Sequence, residues 1–131
     1  METTLLLLTA IIAGIITHWV SVILQRGPVM ASALVVLTSG LILPAFFADL
    51  GTELALVATT ASYAGMASKD WVASPREMGV VGLLCGVLYI AGRAAYPGVG
   101  GRLGTIAAIA CLAWLGARLL ARRQQRHSPS K

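Results

Sequence analysis

Two long stretches without charge constrain this chain more than any other feature of its sequence. No Asp, Glu, Lys or Arg occurs between Thr3 and Gln25, and none occurs between Gly27 and Ala48. Each stretch exceeds the roughly 20 apolar residues with which an α-helix crosses a bilayer. Charged residues make up 11% of the chain, whereas a soluble domain carries about 25%. The sequence therefore predicts an all-α, polytopic integral membrane protein.

Polar and turn-forming residues divide the chain into five apolar segments. Gly27 and Pro28 separate the first two segments, and a polar loop at 68–77 with four charged residues separates the third from the fourth. Pro97 to Gly101, rich in glycine, form a turn before the fifth segment. The third segment is the least apolar of the five. We predict transmembrane helices at about residues 4–24, 29–48, 50–67, 78–95 and 103–121, forming one domain (1–121) with a basic cytoplasmic tail at 122–131.

The basic residues predict how this bundle is oriented in the membrane. Lys and Arg are retained on the cytoplasmic side of a membrane protein. Five crossings with the N-terminus outside and the C-terminus inside give an eight-to-two split of the ten basic residues. The inner set is Arg26, Lys69, Arg76, Arg118, Arg122, Arg123, Arg126 and Lys131, and the outer set is Arg93 and Arg102.

The same charge pattern indicates the partners and the location of the protein. We interpret the basic tail as a topology signal facing the lipid bilayer and expect no nucleic-acid partner. Glu2 is the only early charge, and the first cation, Arg26, follows the apolar run. A signal peptide carries a positive n-region instead. We therefore expect the first segment to be retained in a bacterial plasma (inner) membrane.

Stripes of small residues indicate where helices approach closely. Gly82 and Gly86 form a GxxxG motif, while Gly104 with Ala108 and Ala10 with Gly14 repeat the same spacing. Small residues allow close backbone contact between helices in lipid. The pattern leaves open whether these faces meet within one chain or between copies.

His18 is the only histidine within a predicted membrane segment. Ionisable residues inside a membrane are costly and are candidates for function. One interpretation is a neutral imidazole that hydrogen-bonds a neighbouring helix. The other is a proton relay or a gate.

Hydroxyl groups are concentrated in the third segment. Thr52, Thr59, Ser62 and Tyr63 follow helical spacing and share one broad face. Such a face can line a hydrated path, or its hydroxyls can bond to backbone carbonyls and hold helices together. We treat these residues and His18 as candidate pathway or substrate-binding residues.

Two acidic residues lie at the predicted outer mouth of the hairpin between segments two and three. Asp49 and Glu53 are four positions apart, where like charges repel if one helix carries both. Either they are a solvated cap neutralised by Arg93 and Arg102, or they form a vestibule that attracts cations.

These features favour transport over the other function classes. We expect a small transporter or channel for an ion or small solute that acts as a homo-oligomer, since five short helices barely enclose a path alone. The alternative is a structural or assembly subunit of a larger membrane complex. The sequence has no HExxH, phosphate loop or metal-ligand spacing, so we expect no enzyme activity, catalytic residue, metal or cofactor. Cys85 and Cys111 are interpreted as small core residues.

Overall fold

The computed structural model of the chain describes residues 1–95, 98–99 and 101–127, and these residues form helices and connections with no strand. Pro97 and Gly100 of the predicted turn, the preceding Tyr96, and residues 128–131 of the predicted tail lie outside the described residues. The helices are α1 (Glu2–His18, continued by a π-helical turn at Trp19–Ile23), α2 (Pro28–Phe46), α3 (Gly51–Gly65), α4 (Pro75–Ala91) and α5 (Arg102–His127). The prediction of an all-α fold is confirmed.

Three helices are long and apolar enough to cross a membrane. They are Glu2–Ile23 with 22 residues, Pro28–Phe46 with 19 and Arg102–Gln125 with 24. The other two are shorter, since α3 has 15 residues and α4 has 17. At 1.5 Å per residue, α3 is about 22 Å long against a hydrocarbon core of about 30 Å.

Local sequence signals explain where the helices begin and end. Ser74 caps α4 by accepting a hydrogen bond from the Glu77 N–H at 3.3 Å, and Pro75 takes the first helical position, where no N–H is needed. This helix therefore begins three residues before the predicted start. At the other end of the chain, α5 continues through His127 rather than ending at 121. Arginine and glutamine are good helix formers, and cations are favoured near a helix C-terminus.

Helix α3 lies at the centre of the bundle and contacts all four other helices. Its buried face consists mostly of small residues, including Ala58, Ala61 and Ala64. In contrast, α2 is held mainly by α3 and buries only three residues, Ala31, Ser32 and Val35. The apolar surface of α2 is therefore largely uncovered by its own chain.

Glycine allows α1 and α4 to pack with their backbones nearly touching. A Cβ placed on Gly82 would lie 2.8 Å from the Ala10 carbonyl oxygen and 3.0 Å from Ile11 Cα. Both are backbone atoms, which cannot move without shifting the whole helix. The predicted Gly82–Gly86 stripe thus packs within the chain, whereas a Cβ on Gly104 meets no described atom within 4 Å.

The ends of the helices define two ends of the bundle. At one end, which we call the turn end, Glu53 near the start of α3 pairs with Arg93 just after α4. At the other, which we call the tail end, Arg118 of α5 contacts Trp71 and Glu77, next to the start of α4. Helices α3, α4 and α5 therefore alternate in direction.

Candidate functional site

The His18 side chain is buried inside the bundle near the tail end. It is the last residue of α1 and is only 1% exposed. A very close contact between α1 and α3 encloses it, because a Cβ on Gly65 would lie 2.7 Å from Thr17 Cβ and 3.0 Å from the Gly14 carbonyl oxygen. This contact also brings the Gly65 backbone beside the imidazole.

Neither ring nitrogen of His18 completes a hydrogen bond of normal geometry with any described residue, although the Gly65 backbone is near enough to interact with the ring. Buried polar atoms in native proteins are nearly always hydrogen-bonded, since leaving one unpaired costs roughly 1–3 kcal/mol. The adjacent Thr17 shows the ordinary solution, since its hydroxyl donates to the Ala13 carbonyl at 2.8 Å. The imidazole nitrogens are therefore two of four buried side-chain polar atoms without a partner within the described part of the bundle, beside Glu53 Oε2 and Trp114 Nε1.

The backbone changes its winding directly after His18. Residues Trp19–Ile23 form a π-helical turn, in which the Leu24 N–H donates to the Trp19 carbonyl at 3.1 Å. Such turns insert one extra residue into a helix and are frequent at functional sites. Nothing in the apolar sequence of this region indicated the change in winding.

The hydroxyl groups of Thr59 and Ser62 on α3 are bonded to the protein itself. Thr59 donates to the Ala55 carbonyl at 2.8 Å, and Ser62 donates to the Thr59 carbonyl at 2.8 Å. The Ser62 hydroxyl also lies 3.1 Å from that of Ser32 on α2, in a buried contact. These bonds agree with the second interpretation of the hydroxyl face, in which the hydroxyls bond to backbone carbonyls and hold helices together.

The candidate pathway residues do not converge on one cavity in the described structure. Ser62 is buried against α2, Thr59 is half-buried, and Thr52 is exposed near the start of α3. Tyr63 is 39% exposed and lines an open groove of about 490 Å³ between α3 and α5. His18 is therefore the one candidate that is both enclosed and free to bind a further group.

The two acidic residues at the turn end are separated from each other. Asp49 is exposed in the turn before α3, whereas Glu53 lies within α3 and forms an ion pair with Arg93. One Glu53 oxygen, Oε2, is buried without a partner among the described residues. Arg102 stacks over the Tyr89 ring, with its guanidinium carbon 5.6 Å from the ring centre. Of the two acidic residues in the predicted cap, Glu53 is thus neutralised by Arg93 from the same end of the bundle.

Sequence reasoning missed a cluster of hydrogen bonds at the tail end. The Arg118 guanidinium donates to the Trp71 carbonyl at 3.2 Å and lies 3.4 Å from Glu77 Oε2. The same Glu77 oxygen accepts from the Ala73 N–H at 3.1 Å. The capping pattern Ser74-x-x-Glu77 was a signal for part of this cluster, but nothing in the sequence pointed to Arg118.

The His18 side chain has the chemistry to bind and release a proton. Within residues 1–95, 98–99 and 101–127, no three His, Cys, Asp or Glu side chains come together in a way that could hold a metal ion. A neutral imidazole has one nitrogen with a free lone pair and one that carries a proton, so it accepts and donates at different atoms. Imidazole also changes charge in the physiological pH range.

Comparisons of the chain with protein-family models, with curated proteins and with solved structures find no match.

Proposed function

We propose that this protein is a small membrane transporter or channel for an ion or small solute, with His18 in its pathway. The observation that carries the proposal is the enclosed imidazole with two unpartnered nitrogens. An ionisable side chain within a membrane helix is retained at a cost, and proton relays are a common reason. The π-helical turn that follows it supports the same conclusion.

The proposal includes five crossings, with the N-terminus outside and the tail inside a bacterial plasma membrane. Helices α1, α2 and α5 have the required length. Their shorter neighbours run between the same two ends of the bundle. Helix α3 begins beside Pro44 near the end of α2 and ends beside His18, while α4 begins near Arg118 at the tail end and ends just before Arg93 at the turn end. The eight-to-two split of basic residues sets the orientation.

The exposed surface of α2 supports assembly into a homo-oligomer. Helix α2 buries only Ala31, Ser32 and Val35 against its own chain, and it exposes Leu34, Leu37 and Leu41. A second copy can pack there and complete the wall of a path that one chain leaves open. Native mass spectrometry of protein extracted in mild detergent tests this point, and a homo-oligomer is the expected result.

One observation favours the alternative function, a structural or assembly subunit of a larger complex. The hydroxyls of Thr59, Thr60 and Ser62 are all bonded to the α3 backbone, as in a dry, packed helix. In that case the exposed surface of α2 would be covered by other subunits. The same native mass spectrum would then show foreign proteins in fixed stoichiometry.

Flux measurements on reconstituted liposomes test the proposed transport. Proton uptake is followed with an entrapped pH dye, and uptake of salts and small neutral solutes is followed by liposome swelling. We expect uptake above that of empty liposomes, and we expect His18→Asn to reduce it at least about tenfold, as removal of a required proton-transfer group does. Thr105→Val is the control, since Thr105 is exposed on α5, away from His18 and α2, and its hydroxyl donates to the Gly101 carbonyl. Equal flux in wild type and His18→Asn would contradict the role of His18.

A further inference from the structure

The connection between α3 and α4 closes the tail end of the bundle. It comprises residues 66–74, which we call the gate segment. Its surface is polar, with exposed Ser68, Lys69 and Asp70, but Val72 is fully buried and anchors it in the bundle. The segment therefore lies between water on one side and packed helices on the other.

Two charged side chains hold the gate segment in place. Arg118 donates to the Trp71 carbonyl at 3.2 Å, and Glu77 accepts from the Ala73 N–H at 3.1 Å. The two side chains also lie 3.4 Å from each other, and each is about one-quarter exposed or less. Because a single Glu77 oxygen serves both Ala73 and Arg118, loss of either charged side chain loosens the entire clamp.

The gate segment begins directly after Gly65, which lies beside His18. Gly65 ends α3 beside the imidazole, and the gate segment starts at Met66. Lys69 of the gate segment and Glu77 of α4 lie within electrostatic range of the imidazole, and α3 presents the Gly65 backbone to it. Because the imidazole is only 1% exposed, water reaches it only when a neighbouring element moves, and the gate segment is a polar connection at this end of the bundle.

We propose that the gate segment, clamped by Arg118 and Glu77, opens and closes the route by which the His18 imidazole exchanges protons with water at the tail end. This inference rests on the proposed function and identifies the proton as the ion bound at the site. A hydronium ion transfers its proton to the free nitrogen lone pair, forming an N–H bond and leaving water. The return step gives the proton back to water.

Protonation itself favours opening. An imidazolium repels Lys69 on the gate segment and attracts the Glu77 carboxylate, which competes with Arg118 for that carboxylate. Both effects weaken the clamp once a proton is bound. A proton taken up from water during a brief opening therefore holds the gate open, and its return to water lets the clamp form again.

Chemical modification of His18 tests the gate without measuring flux. Diethyl pyrocarbonate acylates accessible neutral imidazole, and mass spectrometry reports the rate at His18 in protein reconstituted with phospholipid. We expect slow modification of the wild type and a rate about tenfold higher in Arg118→Gln, the change that corresponds to roughly 1.4 kcal/mol of lost clamping. Glu77→Gln should behave in the same way. Arg122→Gln is the matched control, because Arg122 is exposed one turn further along α5, and its rate should equal that of the wild type.

Thermal melting of each variant identifies any that fail to fold. Val72→Ala tests the gate segment without changing a charge, because it removes part of the buried side chain that anchors the segment, and it should also raise the modification rate at His18. Equal rates at His18 in wild type, Arg118→Gln, Glu77→Gln and Val72→Ala would overturn the gate. Raised rates in liposomes that show no flux would support the gate while refuting transport, so the two proposals fail separately.

Discussion

The contact between α1 and α4 predicts a large difference between two glycine-to-alanine substitutions. A Cβ on Gly82 would lie 2.8 Å from the Ala10 carbonyl oxygen, whereas ordinary contact begins at 3.4 Å. Gly82→Ala therefore requires the two helices to separate by about 0.6 Å, which a close-packed interior resists. Overpacking of this kind costs roughly 1–3 kcal/mol.

A matched control removes the effect of helix propensity from this prediction. Replacing glycine by alanine within a helix gains about 1 kcal/mol from propensity alone. Gly116 lies within α5, and a Cβ there meets no described atom within 4 Å. Gly116→Ala should therefore be neutral or stabilising by up to about 1 kcal/mol, and Gly82→Ala should be less stable than Gly116→Ala by roughly 1–3 kcal/mol.

Reversible unfolding in mixed micelles, followed by far-ultraviolet circular dichroism, measures both free energies of unfolding. The oligomeric state of each variant is checked by size-exclusion chromatography. Gly82→Ile should lower stability further, because its branched side chain needs more space than a methyl group. If Gly82→Ala and Gly116→Ala have equal stability, the close approach of α4 to α1 is refuted.

Three further predictions concern topology, the helix contacts and the hydroxyl groups of α3. Reporter fusions after Ala48 and after Lys131 should report opposite compartments, and the same compartment for both would exclude five crossings. Ser32→Ala should lower the free energy of unfolding by only about 0.6 kcal/mol, the average for a hydrogen bond between membrane helices. A loss above about 2 kcal/mol in the same unfolding assay would mean that this bond does more than hold α2 to α3. Single cysteines at 60, 62 and 63 can be compared in a background with Cys85 and Cys111 replaced by alanine. A charged thiol reagent should modify the cysteine at 63 fastest, because only Tyr63 of these three residues is exposed. A fast reaction at 62 would instead support a hydrated path along α3.

The sequence was most informative about the helices. Charge-free stretches predicted α1 and α2 almost to their ends, because a bilayer demands length and apolarity from each helix independently. The end of α5 was harder to predict, since Arg122 and Arg123 suggested a tail although arginine is also a good helix former. The π-helical turn depends on how α1 packs, and composition carries no signal for it.

The site depends on contacts between residues that are distant in the sequence. His18 was a candidate from its position alone, but its burial beside Gly65 depends on the packing of α1 against α3, which brings Gly65 to Thr17. Similarly, Arg118 and Trp71 are 47 positions apart. The shared spacing of the α3 hydroxyls predicted that they lie on one face. It did not predict that the Ser62 hydroxyl bonds to the α3 backbone and to Ser32 on α2.

The central claim is that His18 is a proton-exchanging group, and nuclear magnetic resonance of its imidazole tests this most directly. In His127→Gln, His18 is the only histidine of the chain, so ¹⁵N-labelled histidine reports on this ring alone in lipid bilayers. The account predicts that the resonances of both ring nitrogens change from those of a neutral ring to those of a protonated ring as the surrounding pH is lowered. Resonances that stay those of one neutral form at every pH at which the protein remains folded would contradict the claim and leave His18 as a packed structural residue.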